Sequence, residues 1–201
     1  VSDERGVVGP VPAGREPDEY DRQRRRVMWS MPNGLYVVGS RAGDRRNLMT
    51  ISWVTQVATD PKLVGIGVET HSVTHRLLVD GGVFALSLLP RTERALVRRY
   101  AKPVTEAAVD DVTGTGTMQG HGVHGASTGA PVLDAAVSWL DCEVRHLVAL
   151  GSHGWFVGEV VDCGEAPTGR AGGGGDDGEE GAGDGDGGVL RMEDTRMNYG
   201  G

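Results

Sequence analysis

The sequence predicts an all-β-dominated domain, a β-barrel with few and short peripheral helices. Three observations carry this. Five to seven short runs rich in Val, Ile, Leu, Phe and Trp recur along the chain, each bounded by Gly, Pro, Asn or Asp. The connections between most of them are short enough for hairpins. No alternating βαβ pattern is present, and the glycine-rich stretches have no strand before them and no helix after, which argues against a Rossmann domain.

Each element follows in order. Residues 1–16 are rich in Gly, Pro and charge without periodicity, and read as a flexible N-terminal arm. Pro17-Asp18-Glu19 opens a helix, because early acids favour its N-terminus, with Tyr20, Val27, Met28 and Met31 on one face. Arg22, Arg24, Arg25 and Arg26 occupy the rest, which reads as a solvated face. Pro32-Asn33-Gly34 ends it and residues 35–39 form the first strand, returned by a polar loop over 42–46. Residues 48–54 form the second strand. Asp60-Pro61 marks a turn, and residues 63–68 form a nearly continuous apolar strand whose two glycines leave room for a close neighbour.

The cluster His71-Ser72-Val73-Thr74-His75 then opens a short helix, stopped by Gly81-Gly82. Hydroxyls and N–H groups at a helix start suit a phosphate, but an ordinary Ser cap is the commoner use, and spacing alone favours the cap. Residues 83–89 are a buried strand, and Thr92 is a candidate cap for another helix with Leu96 and Tyr100 one turn apart. Residues 102–129 are Gly/Thr/His-rich and aperiodic, and read as a long surface excursion. The HGVH stretch with His121 and His124 is poor in further ligand types, so a metal reading is weak. Residues 136–150 and 155–161 form a hairpin. If its turn centres on Ser152 and His153, Cys142 faces Cys163, although a disulfide there is disfavoured by cross-strand geometry. Residues 164–188 hold twelve of the 33 glycines and read as a disordered Gly/Asp-rich insert. The run 189–192 resumes order, so 17–163 and 189–201 belong to one domain.

The net charge of −8 belongs largely to that insert. Residues 164–188 contain seven acids and one Arg, a charge of −6, so the remainder carries −2. Neither nucleic acid nor an anionic membrane surface is the expected partner. No apolar run approaches the ~18 residues needed to span a bilayer, and two isolated cysteines suit reduced thiols, so a soluble cytoplasmic protein is expected.

Six separated segments resemble one family when taken in order: NLMTISW, DPKLVGIGVE, HSVTH, GGVFALSLL, TGAPVLDAAVSWLDCEV and GSHGWFVGEVVDCG. They are similar to the flavin reductase-like FMN-binding split-barrel family and cover roughly residues 31–164. The resemblance implies a split β-barrel of the FMN-binding type with Greek-key-like connections, assembled as a homodimer that binds FMN or FAD near the subunit interface. It implies that Asn47, Thr50, Ser52 and Trp53 line the flavin, and that Ser72, Thr74 and His75 contact the ribityl phosphate or ring edge. Lys102 would place a cation nearby, and Tyr199 would pack over the ring. His153 would help position hydride donor and acceptor. The family pattern at that turn is Gly-Asp-His, whereas this chain has Gly-Ser-His. The implied activity is NAD(P)H:flavin oxidoreduction, with NAD(P)H as electron donor and a monooxygenase as recipient of the reduced flavin. The alternative is an FMN-binding electron-transfer protein of flavoredoxin type, reduced by a protein partner. A barrel holding another cofactor such as a deazaflavin is a third reading.

Overall fold

Strands β1 (Tyr36–Ala42) and β5 (Val83–Leu88) explain why so much of this chain reads as unbroken apolar sequence. Successive residues point to opposite faces, and here both faces are covered. Val38, Phe84 and Leu86 enter one buried cluster, while Val37 and Ala85 enter a second on the other side. The computed structural model describes residues 9–102, 104, 107–110, 113–166 and 188–195.

The main sheet adds β2 (Arg45–Ile51), β3 (Val54–Thr59), β4 (Lys62–Glu69), β10 (Ser138–Leu150) and β11 (His153–Glu165). Its order is β2-β1-β5-β10-β11-β4-β3, and every pairing is antiparallel. Laid flat, seven strands would be roughly 29 Å across. Yet the edge strands β2 and β3 are joined by Ser52 and Trp53 alone, a link that spans at most roughly 11 Å. The sheet must therefore curl until its edges meet, without hydrogen bonds closing them. That is a split barrel, as expected. Its interior holds Val38, Ile51, Val64, Ile66, Phe84 and Phe156 among others.

Helix α2 (Val73–Gly81) buries Thr74, Leu77 and Leu78 and ends at Gly82 in the left-handed region. Helix α1 (Pro17–Trp29) starts with a proline in its first turn and two acids, as expected, but buries none of its residues. No helix among the described residues is long and apolar enough to cross a membrane.

Several expectations change. The 102–129 excursion is largely a second antiparallel sheet, formed by β6 (Ala107–Val109), β7 (Gly116–Met118), β8 (His121–Gly125) and β9 (Pro131–Leu133). These strands of three to five residues are too short to show alternation. Their order comes from packing: Met118, Val123, Val132 and Leu133 cover the outer face of the barrel with Tyr100. Pro131 lies so close to β1 that a Cβ on Gly39 would fall 1.8 Å from its carbonyl oxygen. The fully buried Asp141 ties this layer down, accepting from the N–H and hydroxyl of Thr128 at 2.7 and 2.6 Å. Its cross-strand neighbour Asp162 accepts from Ser127.

Thr92 does not cap a helix. A 3-10 turn occupies Arg91–Glu93, and α3 (Arg94–Arg99) follows without a side-chain cap. The second strand breaks at Ser52, so Val54–Thr59 becomes a strand of its own. The last hairpin turns at Gly151 and Ser152, one residue earlier than expected, and bulges twice. Cys142 therefore pairs with Val160 and Cys163 with Leu140. The two thiols do not face each other; both are free, one buried and one exposed. After the Gly/Asp-rich stretch the chain returns to the main body. Val189 and Arg191 bridge to Pro90 and Gly34, and Leu190 is fully buried in the outer core. Residues 1–8 of the expected arm and 167–187 of the expected insert lie outside the described residues.

Candidate functional site

The glycines of β4 define the site. Gly65 and Gly67 alternate with inward-facing Val64, Ile66 and Val68, so they lie on the outer face. A Cβ on Gly65 would fall 2.2 Å from Cζ2 of Trp155, and one on Gly67 would fall 3.0 Å from Cε3 of Trp53. The close neighbours these glycines admit are thus two indoles of the chain itself. Trp155 is the cross-strand partner of Gly67, and the Gly67 N–H donates to the Trp53 carbonyl at 2.9 Å.

His153 completes the group. It is the first residue of β11, paired with Leu150 and with Glu69. Its ring centroid lies 4.5 Å from that of Trp53, with planes inclined at 45°. Its Nδ1 is 2.8 Å from the Ser152 hydroxyl. Trp53, Gly67, Leu150, Ser152, His153, Gly154 and Trp155 line a cleft of about 190 Å³. His75 approaches from behind: its ring stands edge-on to Phe156 at 5.1 Å, and its Nε2 lies where a Cβ on Gly154 would approach to 2.7 Å. Burial lowers the pKa of both histidines, and for His153 the nearby Glu69 carboxylate partly opposes that. Both imidazoles therefore favour the neutral form.

The other expected site residues are placed as follows. Asn47 and Thr74 are buried and bonded to each other, Nδ2 to Oγ1 at 2.7 Å, tying β2 to α2. Ser40, across the ladder from Asn47, has a buried hydroxyl with no partner among the described residues. The Thr50 hydroxyl donates to Val97 O at 2.6 Å and its N–H to Tyr100 O at 3.0 Å, tying β2 to α3. Ser52 is buried at the link between the barrel edges. Ser72 is the α2 cap: its hydroxyl accepts from His75 N at 3.0 Å and donates to Glu69 O at 2.8 Å. The ordinary cap thus uses both functions of that hydroxyl. Lys102 is exposed beyond α3 and is not among the residues lining the cleft. Tyr199 lies outside the described residues. His124 pairs with Asp134 at 2.7 Å, and no cluster of three or more metal-ligating side chains occurs among the described residues.

Sequence reasoning brings Trp53 and His153 to one place but misses Trp155. The available signal was the Gly65-x-Gly67 pattern read against a Trp on a later strand, which needs the pairing register to interpret. Two indoles over a glycine-flattened strand make an apolar wall suited to a planar heteroaromatic ring, with Ser152 and His153 as polar groups at its rim. The lining of the cleft, two indoles with a hydroxyl and an imidazole at the rim, is of the kind the flat ring of a flavin requires.

Comparison with known proteins agrees. The chain is 32% identical over 152 residues to an NADH-dependent FAD reductase of Streptomyces globisporus, covering 75% of this chain and 80% of that protein. Among solved structures, an NADH:FAD oxidoreductase of the same organism superposes with a TM-score of 0.63 at 29% identity, over 78% of this chain and 89% of that one. The styrene monooxygenase flavin reductase of Pseudomonas putida S12 gives 0.56 at 25% identity, over 71% and 87%. The chain also matches longer proteins. It is 26% identical to a putative diflavin flavoprotein of Nostoc over 69% of its own length, which is 23% of that relative. The flavin reductase like domain model matches residues 28–173, a span that contains the whole cleft and every strand of both sheets. On its sequence and its split barrel alike, this chain belongs to the flavin reductase like domain family.

Proposed function

We propose that this chain is an NAD(P)H:flavin oxidoreductase acting on FMN or FAD. The observation that carries the reading is the cleft in which Trp53, Trp155 and His153 meet over Gly67. The flavin-reducing relatives support the same chemistry. A bound flavin would supply the redox chemistry of hydride exchange with a nicotinamide nucleotide. The chain's residues bind, orient and exclude water. The indoles of Trp53 and Trp155 give a flat apolar face, and His153 fixes a ring edge so that donor and acceptor meet at reacting distance. His75 supports Gly154 beneath that edge. Asn47, Thr50, Ser72 and Thr74 act by holding β2, α2 and α3 in place, Lys102 places a cation near the flavin, and Tyr199 packs over its ring. The insert over 164–188 carries none of this chemistry.

The working form is a homodimer in the cytoplasm. Leu147, Val148 and Leu150 are each about half exposed along the hairpin that borders the cleft, and a second copy would cover them and extend the binding surface. The reduced flavin then leaves for a monooxygenase, as the name of the P. putida reductase suggests for that protein. A flavoredoxin-type carrier is the second reading, favoured by the match to a diflavin flavoprotein. Titration with FMN and FAD, followed by stopped-flow mixing with NADH and NADPH, tests the proposal. Bleaching of flavin absorbance by either nucleotide is expected. Tight flavin binding with no reduction by either would leave the carrier, and no flavin affinity would sink both.

A further inference from the structure

We infer that Ser152 positions His153: its hydroxyl donates to Nδ1, which holds the imidazole neutral with its proton on Nε2. His153 then offers the cleft a hydrogen-bond donor, suited to a neutral carbonyl oxygen on the edge of a flat ring. That ligand class rests on the proposed flavin and nicotinamide reading; the tautomer assignment does not.

The turn is built to hold this geometry. The Ser152 carbonyl accepts both the N–H and the hydroxyl of Thr70, at 3.0 and 3.1 Å, so the loop after β4 clamps the tip of the hairpin. The Ser152 hydroxyl sits 2.8 Å from Nδ1, and the ring rests on Trp53. Nε2, the nitrogen on the far side of the ring, makes no hydrogen bond among the described residues. A hydroxyl can donate or accept, whereas a carboxylate only accepts. An Asp in place of Ser152 would demand a proton on Nδ1 and would favour the imidazolium. Serine permits the opposite arrangement, and partial burial of the ring disfavours its charged form. The titratable group beside the ring is Glu69, across the β4–β11 ladder, while His75 lies on the opposite face of β11, against Gly154 and Phe156. Neither makes a hydrogen bond to it among the described residues.

The tautomer of a histidine is set by the bond its other nitrogen makes, and it is directly observable. Long-range proton–nitrogen NMR on the ligand-free, histidine-labelled full chain reads it, with His153 assigned by its loss in His153→Gln. Above the imidazole pKa, His153 should show a protonated Nε2 and a bare, hydrogen-bonded Nδ1. Ser152→Thr should preserve that pattern and Ser152→Ala should weaken the Nδ1 hydrogen-bond shift. Ser152→Asp should move the proton to Nδ1 and raise the titration midpoint of His153 by about one pH unit or more. A protonated Nδ1 in the natural chain, or one unchanged pattern and midpoint across all four proteins, would overturn the inference. Position 152 is an exposed turn, so these variants are expected to fold. Flavin titration of the same samples separates the two ideas, because failure to bind flavin would sink the ligand reading and leave the tautomer result standing.

Discussion

The imidazole of His153 rests against the indole of Trp53, 4.5 Å between centroids, although the two residues are a hundred positions apart. Trp53 sits where the barrel edges meet, and His153 sits at the tip of the longest hairpin. Their contact brings the split of the barrel to the hairpin mouth, and it places an aromatic face beside a hydrogen-bonding edge. Trp53→Ala should weaken flavin binding about 5- to 10-fold, roughly 1 kcal/mol, while Trp53→Phe should keep most of it. Quenching of flavin fluorescence on titration measures both, and equal affinities for all three proteins would remove Trp53 from the site.

Gly65 tests whether the glycines of β4 serve the indole wall. A methyl group there would lie 2.2 Å from Trp155 Cζ2 and 2.7 Å from its Cε2, and a rigid indole meets that only by swinging away. Gly65→Ala should cost about 1–3 kcal/mol of stability and also weaken flavin binding. Urea denaturation alongside flavin titration checks this. Lost stability with unchanged affinity would mean that Trp155 packs the surface only.

Thr50 separates structure from site. Its hydroxyl is engaged by the Val97 carbonyl at 2.6 Å in the buried seam between β2 and α3. Thr50→Val should therefore destabilise the fold by about 1–3 kcal/mol, because it leaves that carbonyl unsatisfied. Flavin affinity measured well below the transition should not move.

Asp141 should give stability an unusual pH dependence. Burial raises its carboxyl pKa foremost, Asp162 adds to this, and the Thr128 donors oppose it. An acid whose folded pKa is raised holds its proton more tightly when folded. Its stabilising contribution is therefore full below the unfolded value near 3.9, and is lost as pH rises through the folded pKa. Asp141→Asn, which keeps an acceptor for the Thr128 N–H, should gain stability relative to the natural chain as pH rises through that window. Urea denaturation from pH 4 to 8, roughly the range in which carboxylates complete their titration, checks the sign. A relative gain on acidification would contradict it.

Much of this architecture was legible from local signals. Residues 63–68 and 83–89 announce strands because apolar residues cannot be left in water on either face. Pro17-Asp18-Glu19 starts a helix because proline presets φ and early acids complement the helix dipole, and Ser72 caps one because its hydroxyl accepts from the N–H three residues on. The short strands between 107 and 133 carried no such signal. Nor did the register of the β10–β11 hairpin, whose turn at Gly151 and Ser152 sets Cys163 opposite Leu140 rather than Cys142.

What the sequence alone determined was most strands of the main sheet, the Ser72 cap and, through motif order, the family. The cleft was decided only by tertiary structure. Trp53, Gly67, His153 and Trp155 come from three separate stretches, and each would read alone as a core aromatic, a strand glycine or a turn residue. They meet because β11 pairs with β4 and β4 with β3, so that Trp155 lies opposite Gly67 and Gly67 bonds to Trp53 just ahead of β3. Curling and register are properties of strands pairing across long loops, and a local pattern encodes the face of each strand but not its neighbour.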